Sequence, residues 1–205
     1  MNAELNKLVK FYELKKDEIR KFINTCNFKD EECLFGELCF CILTPQSRAK
    51  TCREAINRLK ADKKLFIANF DELLDYLKGV RFPEVKAKRL IEVRKIFPEL
   101  KSNLNKSPEE FRSWLFENVN GFGLKESAHF MRNIGFKGLP IIDVHIQNFL
   151  TKIGKYNKDN KSLTKKRYIE LENIFLKLAE ELKIPPEELD IAIWLYQSGE
   201  ENFYG

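Results

Sequence analysis

The segment Val119-Asn120-Gly121-Phe122-Gly123-Leu124-Lys125 and the later Asp143 are the residues of this chain best suited to chemistry. Lys125 offers a primary amine at the expected start of a helix. A cation is electrostatically misplaced there, because the N-terminal end of the helix dipole favours anions. That field, with partial burial, favours the neutral amine, which is a nucleophile. Asp143 ends the apolar approach Leu139-Pro140-Ile141-Ile142 and is expected to cap the helix that begins at Val144. A capping carboxylate is ionised and fixed in place. It can stabilise positive charge developing on a sugar ring, or relay protons for an attacking amine. Gly121 and Gly123 accept positive φ and a close backbone approach. A turn of this kind at a helix start points N–H groups outward, where a phosphate fits. Each part has a plainer alternative: a helix connection with a glycine stop, a solvated lysine and an ordinary cap.

These groups must be held by helices. Apolar residues recur at three- and four-residue spacing along nearly the whole chain, and strand signals are almost absent. The pattern predicts an all-α chain of about ten helices. The first runs from Leu5 to Ile23. The strongly apolar Glu31 to Leu43 should form the core and stop near Pro45. Ser47 should cap a helix from Arg48 to Leu59. Phe70 to Leu77 and Glu84 to Phe97 follow, with Lys78 to Pro83 as a loop. Ser107-Pro108-Glu109-Glu110 is a strong helix start, and that helix stops at the glycine turn. Leu124 to Ile134, Asp143 to Ile153, Arg167 to Leu182 and Glu187 to Ser198 complete the set. The Lys- and Asn-rich stretch from Asn157 to Thr164 is the expected flexible connection. No repeat of solenoid length occurs.

Composition narrows the classes. The 205 residues are 43% hydrophobic, enough for a substantial core, and 33% charged with a net charge of +5. That excess permits a nucleic-acid partner without requiring one. No apolar run approaches the ~18–20 residues of a membrane span, and the N-terminus has no signal-peptide pattern. A cytoplasmic protein is expected. The cysteines, Cys26, Cys33, Cys39, Cys41 and Cys52, lack CxxC spacing and read as buried reduced thiols. His129 and His145 read as structural histidines, so no metal site is expected.

The glycine turn with Lys125, followed by Ile142-Asp143-Val144-His145, resembles the helix-hairpin-helix and catalytic aspartate of a DNA glycosylase superfamily. The stretch Lys125-Glu126-Ser127-Ala128-His129-Phe130-Met131-Arg132-Asn133-Ile134-Gly135 is similar to the signature of small archaeal and bacterial 8-oxoguanine DNA glycosylase/AP lyases. Glu37 to Thr44, Arg81-Phe82 with Lys86-Ala87, and Leu189 to Trp194 agree. The resemblance spans about residues 31 to 197. It implies one glycosylase domain over 1–205, made of two helical subdomains with the active site in the cleft between them and the hairpin motif at about 108–134. It implies Lys125 as Schiff-base nucleophile and Asp143 as its partner. It implies no cofactor, a double-stranded DNA partner, a monomer, and a nucleoid-associated place in a prokaryotic cytoplasm.

An enzyme acting on a base must flip it from the duplex, and a flipped base needs an aromatic platform. Phe82 and Trp194 match family positions that resemble pocket walls. Asp190 lies one turn before Trp194 and shares its helix face, where it could meet the base edge. Gln46, Ser47 and Arg48 resemble a loop facing the minor groove. With Gly121, Gly123 and Arg132 they form the expected DNA-binding set. Arg48, Lys50, Lys86, Lys88, Arg89 and Arg132 are the expected phosphate contacts. Two departures leave the substrate open. Leu43-Thr44-Pro45-Gln46-Ser47 is more like the endonuclease III branch, which acts on oxidised pyrimidines. The tail Glu200 to Gly205 lacks the lysine that many family members carry. The same chemistry on another oxidised base, or a non-catalytic helix-hairpin-helix module, remain alternatives.

Overall fold

The computed structural model describes residues 3–23, 26–27, 29–158 and 163–199. Among the described residues there are ten α-helices and no strand. They are α1 (Ala3–Ile23), α2 (Glu31–Leu43), α3 (Ala49–Ala61), α4 (Phe70–Tyr76), α5 (Pro83–Asn103), α6 (Pro108–Asn118), α7 (Leu124–Asn133), α8 (Val144–Lys152), α9 (Lys165–Leu182) and α10 (Pro186–Ser198). The chain divides into two compact units, one from the stretches Met1–Thr25 and Met131–Phe203, the other from Cys26–Phe130. The boundary falls inside α7. The tail without a lysine, and part of the 157–164 connection, lie outside the described residues.

The second unit is built around α2. Every residue from Leu34 to Leu43 is buried, so this helix is apolar on all sides rather than on one stripe. Asp30 starts it by accepting from the amides of Glu32 and Cys33. Its one buried acid, Glu37, is held by Arg53 at 2.5 and 3.0 Å. Helices α3 and α5 pack on α2, with Ile56, Leu59, Leu90, Val93 and Phe97 buried. Ser107 and Glu110 form the reciprocal cap that opens α6.

In the first unit α10 is central and touches α1, α8 and α9. Tyr12 donates to Glu188 at 2.6 Å, and Arg20 pairs with the same carboxylate. Tyr196 and Lys152 both donate to Glu4. These bonds fasten α1 across α10.

Three expectations are corrected. Helix α5 continues through Pro98 to Asn103. The buried Leu100 and Asn103 hold the extension, and Asn103 donates to the Glu99 carbonyl at 2.8 Å. Helix α3 is capped by Arg48 without a side-chain bond; the Ser47 hydroxyl is engaged elsewhere. Cys26 and Cys33 are joined in a disulfide, while Cys39, Cys41 and Cys52 are free and buried as expected.

Candidate active site and DNA-binding loops

Helix α6 ends at Val119, whose backbone turns extended. The chain reverses through Gly121, at φ +93°, and the Phe122 amide donates to the Val119 carbonyl at 3.0 Å. Phe122 is buried and tilted against Phe130 at 6.3 Å. A Cβ on Gly121 would meet the Arg89 guanidinium at 2.6 Å. The backbone conformation favours glycine here, and the absent Cβ lets the Arg89 guanidinium lie close. The Gly123 amide is taken by the Glu126 carboxylate at 3.1 Å. Two of the turn's amides are thus used internally, fewer remaining for a phosphate than the sequence suggested.

Lys125 is the second residue of α7, and its side chain is 42% exposed. Its Nζ lies 3.6 Å from Glu126 Oε1. Glu126 therefore steadies the first turn of α7 and places an anion beside the amine. His129, one turn on, sets its ring edge against Phe40 at 5.7 Å.

In the first unit, Asp143 caps α8. Its Oδ1 accepts from the amides of His145 at 2.8 Å and Ile146 at 3.0 Å. Both cap bonds fall on one oxygen, and Oδ2 takes no part in the cap. The approach to Asp143 is bound residue by residue. The Ile141 amide donates to Asp190 at 2.9 Å, the Ile142 amide to the Tyr168 hydroxyl at 3.3 Å, and the Asp143 amide to the Ile141 carbonyl at 2.9 Å.

This geometry corrects two expected contacts. Asp190 is 3% exposed and Arg132 5% exposed, and they pair at 2.5 Å. One Asp190 oxygen holds Arg132 and the other holds Ile141. Both oxygens are engaged within the unit and almost fully buried, so Asp190 is not presented to a base edge, nor Arg132 to a phosphate. Burial pushes the Asp190 carboxyl up to about 7, against the pull of Arg132 and the Ile141 amide, while Asp143 adds to the rise. Trp194, one turn further along α10, is half-buried.

The second unit presents two loops. Thr44 to Ser47 form a turn closed by the Ser47 amide on the Thr44 carbonyl, and Gln46 is exposed at φ +58°. Phe82 caps α5 in the left-handed region and is 52% exposed, with the Arg81 guanidinium 5.5 Å from its ring. The Arg81 amide donates to Ser47 Oγ at 3.0 Å, which joins the loops. An open cleft of about 510 Å³ is lined by Gln46, Ser47, Arg48, Thr51, Gly79 and Arg81.

Lys86 was expected at a phosphate. It is 2% exposed, and its ammonium donates to Leu43 O, Pro45 O and Ser47 Oγ. It holds the end of α2 and the turn that follows. Its charge alone does not distinguish it from the solvated lysines around it, and the resemblance carried by Lys86-Ala87 was the only local signal. Among the described residues no cluster of three or more His, Cys, Asp or Glu side chains could hold a metal ion.

A family model described as 8-oxoguanine DNA glycosylase matches residues 15–184. A relative from Fusobacterium nucleatum, named 8-oxoguanine DNA glycosylase/AP lyase, is 34% identical over 97% of both chains. The crystal structure of the Methanocaldococcus jannaschii 8-oxoguanine DNA glycosylase is 30% identical, with a TM-score of 0.85 over 97% of both chains. The structure of the glycosylase/lyase from that organism with a 15mer DNA containing 8-oxoguanine has a TM-score of 0.82 at 32% identity, covering 96% of this chain and 100% of the other. The all-helical fold agrees with these similarities, and the chain belongs to the 8-oxoguanine DNA glycosylase family.

Proposed function

We propose that this protein removes 8-oxoguanine from double-stranded DNA and cleaves the strand at the resulting site. Lys125 and Asp143 act on the deoxyribose of the damaged nucleotide. The neutral Lys125 amine attacks C1′, and the bond from C1′ to the base breaks. The amine proton and the electrons of that bond leave with the base. The sugar ring opens to an iminium. Loss of a C2′ proton then expels the 3′ phosphate by β-elimination. Asp143 stabilises the cationic sugar as the base departs and relays protons afterwards. Phe82 and Trp194 stack on the everted base, and Gln46 and Arg48 meet the duplex beside it. The protein works as a monomer on chromosomal DNA in the cytoplasm, and its chemistry needs no cofactor.

The observation that carries this reading is the pairing of roles on two short segments: an amine in the first turn after the glycine hairpin, and a capping carboxylate with one oxygen outside the cap. A non-catalytic hairpin module would need the glycines and neither reactive group. Borohydride trapping tests it. A duplex with 8-oxoguanine opposite cytosine should yield a covalent adduct with the wild type and none with Lys125→Gln. A duplex with an oxidised pyrimidine, run in parallel, tests the reading suggested by Leu43-Thr44-Pro45-Gln46-Ser47. Preferential trapping there would move the substrate to that class, and no adduct with any lesion would remove the lyase assignment.

A further inference from the structure

We propose that Lys86 is a positioning residue for base selection: it holds Gln46 and Phe82 in their left-handed conformations, and its loss impairs base excision while sparing cleavage of a site that has already lost its base. This rests on the activity proposed above and concerns a residue that takes no part in that chemistry.

The argument begins with an unusual ammonium. Lys86 is buried, and its three protons meet three neutral oxygens, Leu43 O at 2.6 Å, Pro45 O at 2.8 Å and Ser47 Oγ at 2.9 Å. The first lies in the last turn of α2, where carbonyls lack helical partners and the dipole is negative. The lysine thus completes the end of α2. Burial holds the ammonium below the usual lysine range, so the arrangement is costly and calls for a compensating role.

The second observation is strain. A non-glycine residue in the left-handed region is strained, and it persists only where the surroundings over-determine it. Gln46 at φ +58° and Phe82 at φ +57° are both of this kind, and both side chains are exposed. Lys86 touches the support of each. Its ammonium holds the Pro45 carbonyl and the Ser47 hydroxyl on either side of Gln46. Its backbone amide donates to the Phe82 carbonyl at 3.1 Å. Ser47 Oγ, held by Lys86, also accepts from the Arg81 amide, the residue before Phe82. One ammonium therefore braces two strained, outward-facing residues, Gln46 directly and Phe82 through Ser47 Oγ and the Arg81 amide, and Gln46 and Arg81 line a common cleft.

The experiment compares wild type, Lys86→Met and Lys86→Arg in single-turnover assays on two duplexes, one with 8-oxoguanine opposite cytosine and one with a preformed abasic site. Limited trypsin digestion follows cleavage after Arg81 and Arg48, which reports loop order independently of activity. For Lys86→Met we expect a ten- to hundredfold loss of base excision, abasic-site cleavage within about threefold of wild type, and faster cleavage after Arg81. Lys86→Arg keeps the charge but cannot meet three convergent acceptors with a planar fork; it should show the same selective loss, several-fold smaller. Should Lys86→Met fail to fold, Lys86→Arg decides. Equal activity on both duplexes, or a parallel loss on both, overturns the proposal. A wild type inactive on every lesion would instead overturn the function proposed above, and the two failures are read from different lanes.

Discussion

Asp143 has two jobs that can be separated at the level of one atom. As a cap it uses Oδ1 for the amides of His145 and Ile146; as a proposed partner of the reacting sugar it uses its negative charge. Asparagine is as good a cap as aspartate but carries no charge. Asp143→Asn should therefore change stability by less than about 0.5 kcal/mol, while lowering base excision at least about a hundredfold. Asp143→Ala should lose the activity and about 1 kcal/mol of stability as well. Chemical denaturation together with single-turnover excision checks both. An Asp143→Asn protein that keeps most of its activity would reduce Asp143 to a cap. The places of Lys125 and Asp143 at helix starts were legible in the sequence, because helix starts are local patterns. Lys86, Arg132 and Asp190 were misread because their partners are remote. Lys86 and Leu43 are 43 positions apart, and Arg132 and Asp190 are 58 apart. Charge without knowledge of burial reads as a DNA contact, and here burial reverses the reading.

At the scale of elements, helices were legible because apolar periodicity and caps are local. The misses came where tertiary burial overrode a local stop, as at Pro98, or where a distant chain captured a capping side chain, as at Ser47. The strap from Ile141 to Asp143 is the same kind of feature, since its order comes from Asp190 on α10 and Tyr168 on α9. Asp190→Asn should cost about 1–3 kcal/mol at about pH 4, because its amide nitrogen then faces a donor, the Arg132 guanidinium or the Ile141 amide, where a carboxyl oxygen accepted. The pH dependence has a definite sign. The folded-state value of about 7 lies above the ordinary 3.8, so the folded chain binds this proton more tightly than the unfolded chain. The resulting stabilisation is complete below about pH 4 and is lost as pH rises through about 7. The variant has no such proton. The stability gap between wild type and Asp190→Asn should thus be widest near about pH 4 and narrow to a constant by about pH 8. Denaturant titrations across that range measure it, and a gap that stays constant from about pH 5 to about pH 8 would mean that Asp190 is ionised throughout.

For the whole molecule, the net charge of +5 is small for a protein proposed to grip a phosphate backbone, so the placement of charge matters more than its total. The structure removes two of the six expected phosphate contacts, because Lys86 and Arg132 are buried and engaged within their own units. Arg48, Lys50, Lys88 and Arg89 remain, exposed or partly exposed, and all belong to the unit that carries the hairpin and Lys125. Arg89 stands against Gly121, where a phosphate held by the turn would also meet a guanidinium. Each phosphate neutralised on duplex DNA contributes about −0.9 to the slope of log affinity against log salt. Four side chains then predict a slope of about −3 to −4 for an undamaged duplex, a loss of roughly 60- to 250-fold between 50 and 200 mM salt. Fluorescence anisotropy over that salt range measures the slope. Lys88→Ala should make it shallower by about one contact, whereas Lys86→Met should leave it unchanged, because a buried ammonium displaces no counterion. A wild-type slope steeper than about −6 would place further cations on the DNA, and a Lys86→Met slope as shallow as that of Lys88→Ala would return Lys86 to the phosphate backbone.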